Sequence, residues 1–156
     1  MIDIQYTLSR DQSSMKELDL VTCSPTDLHY YAFVGDINYK INDVDFSAEW
    51  DWVPTLHFGI ELCFIVDDLL KSGKGKYDYT ESEATINYIY INGMVEITAN
   101  YAEGVAIVPY HELKEASRDF LTRLLKDLLV KAPDLSKNIH ICEVIEKFSI
   151  RNLERP

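Results

Sequence analysis

The side chains in this 156-residue chain best suited to ligate a metal or to act as nucleophile and base are four histidines and three cysteines. His57 and Glu61, four residues apart in a segment of helical periodicity, share one helix face and could supply two metal ligands. A zinc hydrolase helix carries HExxH, whereas the segment here reads HFGIE, so a half-exposed polar stripe of His57, Glu61 and Asp68 is the better reading. His111-Glu112 falls at a helix start and should be solvated. His140 and Cys142 stand two apart in a helical region, which points them to different sides and argues against a Cys-His nucleophile pair. "SGKGKY" after a predicted helix lacks the GxxxxGK[ST] spacing of a phosphate loop, and neither GxSxG nor GxGxxG occurs. No catalytic residue, metal or cofactor is therefore expected.

Carboxylates are the other candidates, and they are concentrated. The chain holds 26 acidic and 15 basic residues, a net charge of −11. Residues 1 to 70 carry 13 of the acids with only 3 basic residues, so nearly all of the excess lies in the first half. Such a balance disfavours nucleic acid and anionic membrane as partners, since both are negative themselves, and favours something basic.

The segment "GDINYKINDVDFSAEW", residues 35 to 50, shows how those acids are displayed. With Asn42-Asp43 as a two-residue turn, Ile41 faces Val44, Tyr39 faces Phe46, Ile37 faces Ala48 and Gly35 faces Trp50, a wholly apolar side. The other side pairs Lys40 with Asp45, Asn38 with Ser47, Asp36 with Glu49 and Val34 with Asp51. Two carboxylates directly opposed cost roughly 0.2 to 1 kcal/mol, so the array is relieved by water and neighbouring cations or used to attract a basic partner; a divalent cation site is the weakest reading, since side chains on flat strands rarely converge on one ion.

Length and composition set the frame for these residues. At 156 residues, 47% of them hydrophobic, the chain suits one α+β domain over 1 to 156, burying about 70% of its unfolded surface. Three widely spaced cysteines without a CxxC pair indicate reduced thiols. The N-terminal sequence has no basic region followed by an apolar one, and no apolar run is long enough to span a bilayer, so a cytoplasmic location is expected.

Periodicity then places the elements. Residues 2 to 8 alternate as a strand, and 9 to 28 read as a connection with a short helix at most over Ser14 to Leu18. Residues 54 to 72 are predicted to form a buried helix with Leu56, Ile60, Cys63, Phe64, Leu69 and Leu70 inward and Gly73 as its stop. Asn92-Gly93 predicts a second hairpin that pairs Ile91 with Met94, Tyr90 with Val95, Ile89 with Glu96, Tyr88 with Ile97 and Ile86 with Ala99. Short strands are expected on either side of it. An amphipathic helix over 109 to 131 has Leu113, Ala116, Phe120, Leu124 and Leu128 on one stripe, extended by Leu121, Leu125 and Leu129, and a last helix over about 136 to 148 buries Ile139, Cys142 and Ile145. The tail "RNLERP" should fray. Together these elements give an antiparallel sheet of four to six strands with helices packed on one face. Tyr30, Tyr31 and Tyr101 are expected at the surface, and Ile89, Ile91 and Met94 face away from the tyrosine core, either under a loop or as a patch for homodimerisation.

In its charge and its Asp36, Asp45, Glu49 and Asp51 face, the chain resembles, as a class, the small acidic immunity proteins with which bacteria neutralise toxins. The resemblance implies a cytoplasmic protein that binds a basic toxin domain, often a nuclease, and blocks its active site. On that reading the four carboxylates steer the partner, and Trp52 or Tyr31 anchors it after desolvation. Two alternatives stay open: an enzyme or ligand-binding protein with a pocket using His57, Glu61 and Tyr88, and a DNA-mimicking inhibitor with carboxylates in rows.

Overall fold

The computed structural model describes residues 1 to 150. The expected tail at 151 to 156 lies outside the described residues. The chain runs β1 (Ile2–Leu8), α1 (Pro25–Tyr31), β2 (Val34–Ile41), β3 (Val44–Asp45), β4 (Ala48–Pro54), α2 (Thr55–Ser72), β5 (Lys74–Asp78), β6 (Thr85–Ile91), β7 (Met94–Ala99), β8 (Ala102–Pro109), α3 (Tyr110–Lys131) and α4 (Ile139–Lys147).

The fold is α+β, and all strand pairing is antiparallel. Its strands divide into two four-stranded sheets, where the sequence reading gathered them into one. In the first sheet β2 is central, with β1 on one side and β3 then β4 on the other. The second runs β5-β6-β7-β8. The sheets meet where β3 lies beside β8, and there a Cβ at Gly104 would press on Val44. Across the interior the hydroxyls of Tyr39 and Tyr88, both fully buried, lie 3.2 Å apart and tie one sheet to the other.

α2 packs against both sheets, which explains why it is apolar nearly all round. Gly59 on this helix lets α3 approach, since a Cβ there would stand 3.2 Å from the Phe120 ring. Gly73 stops the helix in the left-handed region at φ 77°. Two residues expected inward are not: Phe64 is half-buried and Leu70 is 56% exposed, because the buried stripe runs through Leu62, Ile65 and Val66 instead.

The second hairpin keeps every expected pair, with Asn92 and Gly93 both at positive φ. The expected flanking strands are β5 and β8. Residues 9 to 28 hold more order than expected. A 3-10 turn occupies Ser13–Met15, and α1 follows, capped by Ser24 Oγ accepting the Asp27 N–H at 3.1 Å. α4 also presents a different face. Asn138 Oδ1 accepts the N–H groups of His140 and Ile141, which starts the helix so that Ile141, Val144 and Phe148 turn inward. Ile139 is left 74% exposed, Cys142 exposed and Ile145 half-buried.

Candidate site: an acidic and aromatic bulge on β4

β2 and β4 pair as expected at Ile37 and Ala48, then lose register. Pairing resumes with Gly35 opposite Val53 and Val34 opposite Pro54, so Glu49, Trp50, Asp51 and Trp52 all stand against Asp36 alone. The expected pairs of Gly35 with Trp50, Asp36 with Glu49 and Val34 with Asp51 do not form. Gly35 serves another neighbour, since a Cβ there would collide with the backbone of Thr7 and Leu8 on β1.

The reason for the bulge lies in the side chains it carries. Strict alternation would drive both Trp50 and Trp52 into an interior already filled by Ile37, Tyr39, Phe46 and Phe58, all fully buried. The extra residues instead leave both indoles half-buried at the rim, stacked with centroids 5.4 Å apart. Trp50 meets the edges of Tyr79 and Tyr101 at 5.0 and 5.3 Å, so the bulge also docks on the second sheet. Tyr101, expected at the surface, is half-buried in this cluster; its hydroxyl donates to the Phe46 carbonyl at 2.6 Å.

Asp51 takes φ 66°, left-handed backbone that costs a residue other than glycine about 1 to 2 kcal/mol. Its N–H donates to Asp36 Oδ1 at 2.8 Å, which holds the conformation. Asn38 donates to Glu49 Oε1 at 2.9 Å. Asp45 sits at the neighbouring turn and accepts the Ser47 N–H at 2.9 Å, while Ser47 Oγ accepts the Tyr39 N–H at 3.0 Å. The Ser47 hydroxyl and N–H, with the Lys40 charge, hold the Asp45 carboxyl below its ordinary range.

The structure thus joins Asp36 to Asp51 directly and sets Glu49 and Trp52 in the same bulge. Asp45, Glu49 and Asp51 are exposed and Asp36 half-buried. Among the described residues none of the four forms an ion pair, although four ion pairs occur elsewhere. Tyr31, 48% exposed, ends α1, a helix that touches β4. Tyr101, an expected surface residue, belongs to the site as a half-buried one, whereas Trp50 and Tyr79 were missed from sequence. The signal for Trp50 was the repeat of acid and tryptophan in "EWDW", where alternation leaves both rings on one side and crowds them; Tyr79 carried none.

Three histidines form a second cluster. His29 on α1 lies between His57 on α2 and His140 on α4, with ring centroids 4.9 and 4.8 Å away. The Nε2 atoms of His29 and His140 are 2.8 Å apart, and His57 Nδ1 is 3.3 Å from the Tyr77 hydroxyl. Burial, aided by the other two rings, pushes His29 down to about 4, and burial alone does the same for His57. Burial also lowers His140, against the opposing charge of Glu143. Among the described residues no group of three or more His, Cys, Asp or Glu side chains could hold a metal ion. Tyr88, the third residue of the expected pocket, is fully buried and engaged with Tyr39.

No helix is long and apolar enough to cross a membrane among the described residues. No family model, curated protein or solved structure matches the chain significantly.

Proposed function

We propose that this protein is a binding module that captures a basic protein in the cytoplasm, in the manner of an immunity protein neutralising a toxin. The observation that carries the reading is the β4 bulge. Among the described residues its four carboxylates have no cation within ion-pair distance, Glu49 and Asp51 flank the half-buried Trp50 along the chain, and the strained backbone at Asp51 is held by Asp36. Unpaired surface acids raise the rate of encounter with a basic partner, and an aromatic ring that loses its remaining solvent on contact supplies affinity. Bulges of this kind commonly re-aim side chains for function.

Immobilised protein should capture a stoichiometric basic protein from the lysate of its natural host at low salt and release it on a salt gradient. A Glu49→Gln, Asp51→Asn variant keeps the size of both side chains, and asparagine tolerates the left-handed backbone at position 51. This variant should associate more slowly and elute at lower salt. Equal capture and equal elution by the variant, or an association rate indifferent to ionic strength, would refute the reading.

A further inference from the structure

The outer face of the second sheet carries a different pattern from the acidic face. Inward residues of this sheet are Tyr77 on β5, Ile86 and Tyr88 on β6, Val95 and Ile97 on β7, and Ala106 and Val108 on β8, all buried. Ile89, Ile91, Met94, Val105 and Ile107 therefore point outward, at 37 to 53% exposure. Single exposed apolar residues are ordinary, but five on three adjacent strands make a contiguous patch.

Glu96 on β7 stands within it, and Lys74 on β5 borders it. Register aligns Lys74, Ile89, Glu96 and Ile107 in one row across the four strands. Lys74 and Glu96 flank Ile89 at one strand spacing on either side, which leaves them roughly 10 Å apart. Neither forms an ion pair among the described residues. Across β5, β6 and β7 the outward face is balanced in charge, with Lys74 and Lys76 against Asp78 and Glu96, and β8 adds the exposed Glu103, against −11 for the whole chain. It is thus a surface on which a second acidic copy can approach without strong repulsion.

We infer that a second copy of this chain packs on this face about a twofold axis running along β6. That axis sets Ile89 against Ile89 of the other copy and places each Lys74 over the Glu96 of its counterpart, so one lysine and one glutamate per chain complete two symmetric ion pairs. An interface between identical chains must be complementary to itself, and opposite charges disposed equally about a central apolar residue meet that requirement. A twofold axis along β7 would set Glu96 on Glu96, so the charges select the register. Two such sheets pack about 10 Å apart with their outward side chains interdigitated.

Sedimentation velocity on the full chain, over a range of protein concentration, tests this. Wild type should sediment as a dimer. Lys74→Glu and Glu96→Lys, taken singly, set like charges together and should each weaken association by at least about tenfold. The double variant Lys74→Glu, Glu96→Lys restores opposite charges and should recover the dimer, while the far-ultraviolet spectrum stays native in all three. A monomeric wild type, a dimer unmoved by the single substitutions, or a double variant as weak as its parents would each overturn the inference. These substitutions leave the β4 bulge intact, so capture of a basic partner is scored separately.

Discussion

Acidification from pH 7 to pH 5 should weaken the fold through the histidine cluster that joins α1, α2 and α4. In the folded chain His29 and His57 are held neutral, each pushed down to about 4. In the unfolded chain an imidazole titrates near its ordinary value of about 6.5, so between those values the unfolded state binds more protons. The stabilisation is therefore complete above about pH 6.5 and is lost as the pH falls toward 4. At pH 5 a fully sequestered ring with that shift would account for about 2 kcal/mol. Both rings are only half-buried, and solvent screens them, so about 1 kcal/mol each and about 2 kcal/mol for the cluster is the working figure. Carboxylates with ordinary values near 4 contribute little above pH 5, and Glu61, pushed up by burial, acts in the opposite sense to the histidines and takes a part off the fall. Urea unfolding at pH 7.0, 6.0 and 5.0 reads the effect. With an m-value of about 2 kcal/mol/M, the midpoint should fall by about 1 M. A His29→Gln, His57→Gln variant should show less than half that fall, and His111→Gln, at an exposed position on α3, should behave as wild type. A wild-type midpoint constant from pH 7 to pH 5, or an equal fall in the double glutamine variant, would refute the reasoning.

Two further outcomes follow from buried polar contacts. Tyr39→Phe strands the Tyr88 hydroxyl between the sheets and should cost about 1 to 3 kcal/mol, whereas Tyr39→Phe with Tyr88→Phe removes both partners and should cost clearly less; a thermal or urea double-mutant cycle measures the difference. Arg118 joins three elements, with two bonds to the Asp67 carboxylate at 3.0 and 2.9 Å, one to the Phe148 carbonyl at 3.1 Å and its guanidinium over the Phe148 ring. Arg118→Ala should destabilise by about 2 kcal/mol and raise hydrogen exchange in α4 first, readable by mass spectrometry.

Much of the architecture was legible because local rules governed it. Asn92-Gly93 and the alternation around it specified a hairpin whose pairs all formed. The apolar residues of α3 matched the helical repeat, so Leu113, Phe120, Leu121, Leu124, Leu125 and Leu128 are buried as expected, with Ala116 and Leu129 half-buried at the margin of the stripe. α1 was overlooked although Ser24 and Pro25 mark a helix start, because seven residues offer too little periodicity to weigh against the turn formers before them. On α4 the apolar residues Ile139, Ile141, Cys142, Val144 and Ile145 allow two faces. The Asn138 cap and its bond to the Leu20 carbonyl at 2.9 Å favour the one that was not expected.

The site divides along the same line. By itself the sequence determined that the N-terminal half is acidic, that Ile41 pairs with Val44 across the first turn, and that the outward row of the second hairpin is apolar, since charge, turn chemistry and a period of two are carried by neighbouring residues. Tertiary structure alone decided the three-residue shift in β4, the meeting of His29, His57 and His140, and the division of the strands into two sheets. Each depends on how much room remains once distant elements have packed. The volume left beside Phe58, Tyr79 and Tyr101 could not hold two indoles facing inward, and no stretch of sequence records that volume.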